Sequence, residues 1–311
     1  MINVYEQIDS NKRKSTIIML AFILFISLAA WILSEALGYG LYGAAFALIL
    51  SGLMSLGSYY AGDKIILTLS RARQADRKRD FNFYTVTENL AMAAQVPPPK
   101  LYVIDDTAPN AFATGRDPKH AVVCATTGLL QKLDRSELEG VIAHELSHIK
   151  HYDIRLMSIV TVLVGVITLL ADWFLRMSWR GGRDRNREEK GNIGAIIALI
   201  AIVLALLSPI IAQLIQLTIS KRREFYADAG SALLTRYPEG LIRALEKISQ
   251  DREPLEAANK ATAHLYIINP FKLDSKGVYP ERSRGAIGWF ANLFNTHPPI
   301  QERIKTLQGM M

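Results

Sequence analysis

Hydrophobic residues fall along this chain in blocks. Two uncharged runs come first, at 16–33 (TIIMLAFILFISLAAWIL) and 41–60 (LYGAAFALILSGLMSLGSYY). With a rise of ~1.5 Å per residue, each is about long enough as a helix to cross a ~30 Å hydrocarbon layer. Two more follow, at 156–175, interrupted only by Asp172, and at 193–219, which carries no charge. The four runs pair into hydrophobic hairpins over 1–60 and 156–219, leaving two more polar parts, 61–155 and 220–311. The pattern predicts an integral membrane protein whose polar parts face one side of the bilayer.

Between the hairpins the pattern changes from blocks to periods. Residues 75–94 read as a helix that stops at Val96-Pro97-Pro98-Pro99, because proline cannot continue it. Two short strands are expected at 101–104 and 121–125, joined as a hairpin by the turn-rich connection DDTAPNAFATGRDPKH. Asp134 with Glu137 three residues later marks a helix start. The helix it opens has an apolar stripe of Leu138, Val141, Ile142, Leu146 and Ile149, so it packs on a core. From Lys221 the chain is expected to be helical to about Ser249. It then becomes loop-rich over 251–296 and ends in a short helix introduced by Thr296-His297-Pro298-Pro299. The fold class expected is α+β, mostly α-helical, with a small β-hairpin or sheet.

Half the residues are hydrophobic although 21% are charged, which agrees with membrane and polar parts in one chain. The first apolar run exceeds the ~7 to 15 residues of a secretory signal core and precedes no clear cleavage site, so it reads as a retained anchor. Lys12, Arg13 and Lys14 precede it, and Lys64, Arg71, Arg73, Arg77, Lys78 and Arg79 follow the second run. The positive-inside rule therefore puts the N-terminus and the 61–155 part in the cytoplasm. The net charge of +7 is then largely charge beside anionic lipid, and nucleic acid is not an expected partner. A lone cysteine, Cys124, allows no internal disulfide and fits a reducing compartment. The linker 176–190 carries six basic residues, which strains a simple drawing with four spans.

The chemistry is concentrated in VIAHELSHIKHYD, residues 141–153. His144 and His148 stand one helical turn apart on one face and can reach a single metal ion. Glu145 is offset by ~100° on the helix and can act on a water without ligating. A catalytic zinc needs a third protein ligand and an open position. His151 continues along the same helix and is poorly placed to close a tetrahedron, whereas Glu224 opens Glu224-Phe225-Tyr226-Ala227-Asp228, with Asp228 one turn further on. His148 lies just before the third apolar run and Glu224 just after the fourth, so an even number of crossings returns both to one membrane face.

With these motifs in order, the chain resembles the HtpX-type membrane zinc metalloproteases, which are similar to the CaaX prenyl endopeptidases. The resemblance rests on two leading apolar segments, Asn110-Ala111-Phe112-Ala113-Thr114-Gly115, His144-Glu145-Leu146-Ser147-His148, a hydrophobic hairpin, Glu224 to Asp228, and His297-Pro298-Pro299 with Arg303. It implies a zincin-like (gluzincin) cytoplasmic catalytic domain in which His144, His148 and Glu224 hold one Zn2+ and Glu145 is the base. It further implies that Asp228 fixes a ligand histidine, that Asn110, Ala111, Phe112, Ala113 and Thr114 bind substrate, and that His297 donates to the oxyanion. Arg303 fits a structural role better than a catalytic one. The implied activity is an endopeptidase of a bacterial inner membrane, multi-pass, acting on misfolded or damaged membrane proteins or unfolded polypeptides. It would work alongside an ATP-dependent membrane protease, itself lacking a nucleotide-binding loop. The competing readings are a prenyl-protein endopeptidase and a non-catalytic membrane adaptor with a structural zinc.

Overall fold

The computed structural model describes residues 4–36, 40–181, 221–258, 262–268, 270 and 298–311. The fourth apolar run, residues 182–190 of the basic linker, and His297 lie outside the described residues. Two long helices come first, α1 (Val4–Ala36) and α2 (Leu41–Leu69), packed on each other. Ser34 Oγ, near the end of α1, donates to the carbonyl of Gly40, just before α2, at 2.7 Å. Among the described residues one helix, α2, is long and apolar enough to cross a membrane. It continues beyond residue 60, where the uncharged run stops.

The polar part is built on a four-stranded mixed sheet of β1 (Arg73–Gln74), β2 (Lys100–Ile104), β3 (Ala111–Gly115) and β4 (Ala121–Thr126), in the order β1-β2-β4-β3. This corrects the expected hairpin. β2 and β4 run parallel, and the turn-rich stretch between them contains β3, which pairs antiparallel with β4. β3 escaped the sequence reading because Ala-Phe-Ala-Thr-Gly has a single large apolar side chain and lies among turn-forming residues, whereas β4, just as buried, carries Val122 and Val123. The helix expected at 75–94 is shorter: α3 spans Phe81–Ala94, after β1 and a turn in which the Asp76 carboxylate accepts from the Lys78 and Arg79 amides.

Helices α4 (Thr127–Lys132) and α5 (Arg135–Lys150) follow the sheet. Asp134 caps α5 reciprocally: its side chain accepts from the Glu137 amide at 2.9 Å, and the Glu137 carboxylate accepts from the Asp134 amide at 2.8 Å. The stripe Leu138, Val141, Ile142, Leu146 and Ile149 is buried in one core with Val123, Ala125 and Ala113 of the sheet. Tyr152, at φ 61, takes the left-handed conformation just after α5, and α6 (Asp153–Gly181) starts directly behind it. Ile18 and Phe22 of α1 pack against Leu156, Val160, Leu163 and Ile167 of α6.

After Lys221 the single helix expected to about Ser249 is two, α7 (Lys221–Thr235) and α8 (Pro238–Gln250). Arg236, at φ 53, and Pro238 at the first turn of α8 make the break. A 3-10 turn at Ala263–Leu265 and the terminal helix α9 (Ile300–Gln308) complete the described fold. α5 and α8 cross backbone to backbone: a Cβ on Gly140 would lie 2.6 Å from the Leu241 amide nitrogen, and one on Gly240 2.5 Å from the Ser136 carbonyl.

Candidate metal centre and active site

His144 and His148 project from one face of α5 into the space between that helix and α7. Their Nε2 atoms stand 3.2 Å apart, and the Glu224 carboxylate lies 3.7 Å from the first and 3.6 Å from the second. One ligand atom from each of the three residues falls within 4.8 Å of the others, and all three side chains are buried.

Each imidazole is held from behind. His144 Nδ1 meets Asp228 Oδ1 at 2.9 Å, and His148 Nδ1 meets Asp153 Oδ2 at 2.9 Å. A carboxylate accepts only, so each Nδ1 supplies the hydrogen and each Nε2 turns a lone pair towards the other ring and Glu224. Acceptors then face acceptors in a buried space, which is repulsive until a cation or a proton stands among them. Two imidazole nitrogens and a carboxylate oxygen make a donor set that suits zinc.

The protonation tendencies show the same crowding. Burial lowers the His144 value, against the Asp228 hydrogen bond that raises it. Burial also opposes charge on His148, but the Asp153 hydrogen bond and the Glu224 charge outweigh it and push this imidazole up to about 9. Burial raises the Glu145 carboxyl to about 7, with the charge on His148 opposing and that on Glu224 adding. That is a useful range for a general base.

Glu145 is buried beside this cluster, and the Ala113 backbone opposes the upward shift that burial gives its carboxyl. Of the residues expected to meet substrate, Asn110, Phe112 and Thr114 turn buried side chains to partners within the chain. Asn110 Nδ2 donates to the Ile268 carbonyl at 3.0 Å, Phe112 meets Tyr266 edge-on at 5.1 Å, and Thr114 Oγ1 pairs with Ser158 Oγ at 2.7 Å. The outer edge of β3 is engaged as well, since the Ile267 amide donates to the Ala111 carbonyl at 3.0 Å.

Arg303, from α9, is the largest fully buried side chain described. It grips Asp228 with two bonds, Nε to Oδ2 at 2.9 Å and Nη2 to Oδ1 at 2.6 Å, and Nη1 donates to the Ile267 carbonyl at 3.1 Å. Burial would push the Asp228 carboxyl up, but the Arg303 charge and the His144 hydrogen bond hold it below the usual 3.8. Asp153, Asn11 and Arg223 were not singled out from the sequence. Asp153 follows His148 by five residues, and that proximity was its available signal; Asn11 has none.

A model of peptidase family M48 matches residues 77–311. The chain belongs to peptidase family M48. It is 42% identical to a protease HtpX homolog of Dictyoglomus thermophilum over 306 residues, 98% of this chain and 94% of that one. It is 42% identical to a protease HtpX homolog of Caldanaerobacter subterraneus over 308 residues, 99% of this chain and 98% of that one. A protease HtpX homolog of Streptococcus uberis matches at 39% over 313 residues, 99% of this chain and all of its relative. A crystal structure of S. mikatae Ste24p matches at 17% identity with a TM-score of 0.48, covering 97% of this chain and 67% of that one. This M48 chain is an enzyme, a metalloprotease, and its described part is mostly helical with a small mixed sheet.

Proposed function

We propose that this M48 chain is a zinc-dependent endopeptidase of a bacterial inner membrane that cleaves misfolded or damaged membrane proteins, or unfolded segments, at the cytoplasmic face. The observation that carries the reading is the convergence of His144, His148 and Glu224 on one point, with buried Glu145 beside it. Nε2 of both histidines and a Glu224 oxygen would hold the ion. When bound, zinc supplies Lewis acidity towards a peptide carbonyl and a water.

The remaining work belongs to the chain's own groups. Glu145 takes the proton of the attacking water on a carboxylate oxygen and passes it to the leaving amide nitrogen. The Ala113 backbone favours the charged form of that carboxylate. Asp228 and Asp153 keep both imidazoles in the tautomer that presents Nε2. An extended substrate pairing with the outer edge of β3 would replace the Ile267 amide at Ala111. His297 is assigned the oxyanion donor.

The membrane setting is supported by α2 and by the exposed apolar side chains of both leading helices, among them Leu20, Leu24, Leu28, Phe46, Ile49 and Leu53. His148 stands five residues before the start of α6, so the catalytic centre sits at the head of the third apolar run, and substrates would be presented from the bilayer. The leading hairpin is assigned as the membrane anchor, and the pathway partner is an ATP-dependent membrane protease.

The test is zinc content and cleavage of an unfolded protein such as casein, in detergent, for the natural chain and Glu145→Gln. The expected result is about one zinc per chain in both, with cleavage reduced by at least ~10²- to 10⁴-fold in the variant. Chelation should abolish activity and zinc restore it. Equal cleavage by Glu145→Gln would remove Glu145 from the chemistry.

A further inference from the structure

Asp153 fixes His148 with one carboxylate oxygen, and its other oxygen is held by a residue from the far end of the sequence. Asn11 Nδ2 donates to Asp153 Oδ1 at 2.7 Å, and the same amide group donates to the His151 carbonyl at 2.9 Å. The Asn11 side-chain oxygen in turn accepts from Arg223 Nη1 at 3.4 Å, next in sequence to Glu224. Asn11 is 2% exposed and lies in α1, ahead of the first apolar run. It falls outside residues 77–311, the part matched by the family model.

One side-chain amide therefore ties together the end of α5, the first residue of α6 and the first turn of α7. Those are the elements that carry His148, its carboxylate and Glu224. A buried asparagine with both its donors and its acceptor engaged, all towards one cluster, has an orientation fixed by that cluster.

We propose that the N-terminal helix completes the metal centre, with Asn11 as a positioning residue that sets the Asp153 carboxylate and, through it, the aim of His148 Nε2. The inference rests on the reading of His148 as a zinc ligand. It makes the leading membrane helix part of the catalytic apparatus, so that a displacement of α1 relative to α6 loosens the hold on the ion.

The experiment uses the full chain in detergent, with Asn11→Ala, Asn11→Asp, Asp153→Asn and His148→Ala. Zinc affinity is measured by chelator competition, the Co2+-loaded protein gives a d–d spectrum, and the metal-free protein gives a melting temperature. Asn11→Asp keeps the shape, removes the donors and sets a second carboxylate beside Asp153. It carries the test if Asn11→Ala does not fold.

The expected result is zinc affinity weakened about 10- to 100-fold by Asp153→Asn and about tenfold by the Asn11 variants. An altered cobalt spectrum should accompany the Asn11 loss, together with a fall of ~2–6 °C in the metal-free melting temperature from the buried partners left unbonded. Natural zinc affinity and an unchanged spectrum in both Asn11 variants, with Asp153→Asn weakened, would overturn the proposal. So would a loss of affinity with an unchanged cobalt spectrum, since loosened packing without a re-aimed His148 would explain it. Full zinc affinity in His148→Ala would bring down the ligand reading first and this inference with it.

Discussion

Arg303→Met removes a buried cation while roughly preserving the length of the side chain. Arg303 is 1% exposed and Asp228 0%, and the two share bonds of 2.6 and 2.9 Å. Methionine can fill most of the space left by the stem, so the volume change itself is worth little. The dominant effect is a carboxylate left buried beside an imidazole, with no cation on its other side. Removing one partner of such a pair costs ~3–5 kcal/mol. At about 2 °C per kcal/mol for a chain of this size, the apparent melting temperature should fall by roughly 6–10 °C. The assay is thermal unfolding of the detergent-solubilised, metal-free protein, so that loss of a bound metal does not enter. Asp228→Asn placed in the Arg303→Met background should recover most of the loss, because the unpaired charge is gone. A change below ~1 kcal/mol for Arg303→Met, or a double variant that loses the sum of the two singles, would refute the reasoning.

Gly140→Ala should destabilise by ~1–3 kcal/mol despite the better helix propensity of alanine. The new Cβ would meet the Leu241 backbone at 2.6 and 2.8 Å, and a neutral result in thermal unfolding would mean that α5 and α8 have room to part. Asp134→Ala should cost about 1 kcal/mol through loss of the α5 cap. The Glu137 amide, then Ser136, lowers the Asp134 value below its ordinary 3.8. The sign follows: the cap's contribution is complete above 3.8 and fades as pH falls through the lower folded value. The gap between natural chain and variant should therefore close on acidification and stay constant through neutral pH. A gap that persists in strong acid would assign the effect to something other than the charged cap.

Much of the centre was legible without coordinates. The four-residue spacing of His144 and His148 makes any α-helix present both to one ion, and the Asp134–Glu137 pair announces that helix locally. The separation of Glu224 from Asp228 works in the same way: Asp228 reaches His144 Nδ1 while Glu224 faces both Nε2 atoms. The leading apolar runs declare themselves by length. Sequence reading stumbled where a strand has little strand-forming composition or a turn interrupts a period. β3 has one large apolar side chain among turn formers, and α7 gives way to α8 at a left-handed Arg236. That Asn110 and Ala111 bond to residues 268 and 267 within the chain has no local signal in the sequence.

Short-range order, then, belonged to the sequence by itself: helix starts, metal-ligand spacing, apolar runs and the family motifs depend on neighbours within a turn or two. Only the tertiary structure decided which carboxylate stands behind which histidine, that Arg303 neutralises Asp228 from the chain's end, and that Asn11 reaches Asp153 from its beginning. Those contacts join residues 75 and 142 positions apart, and hydrogen bonds at such separations leave no periodic trace, because each is set by how helices pack and not by the residues beside it.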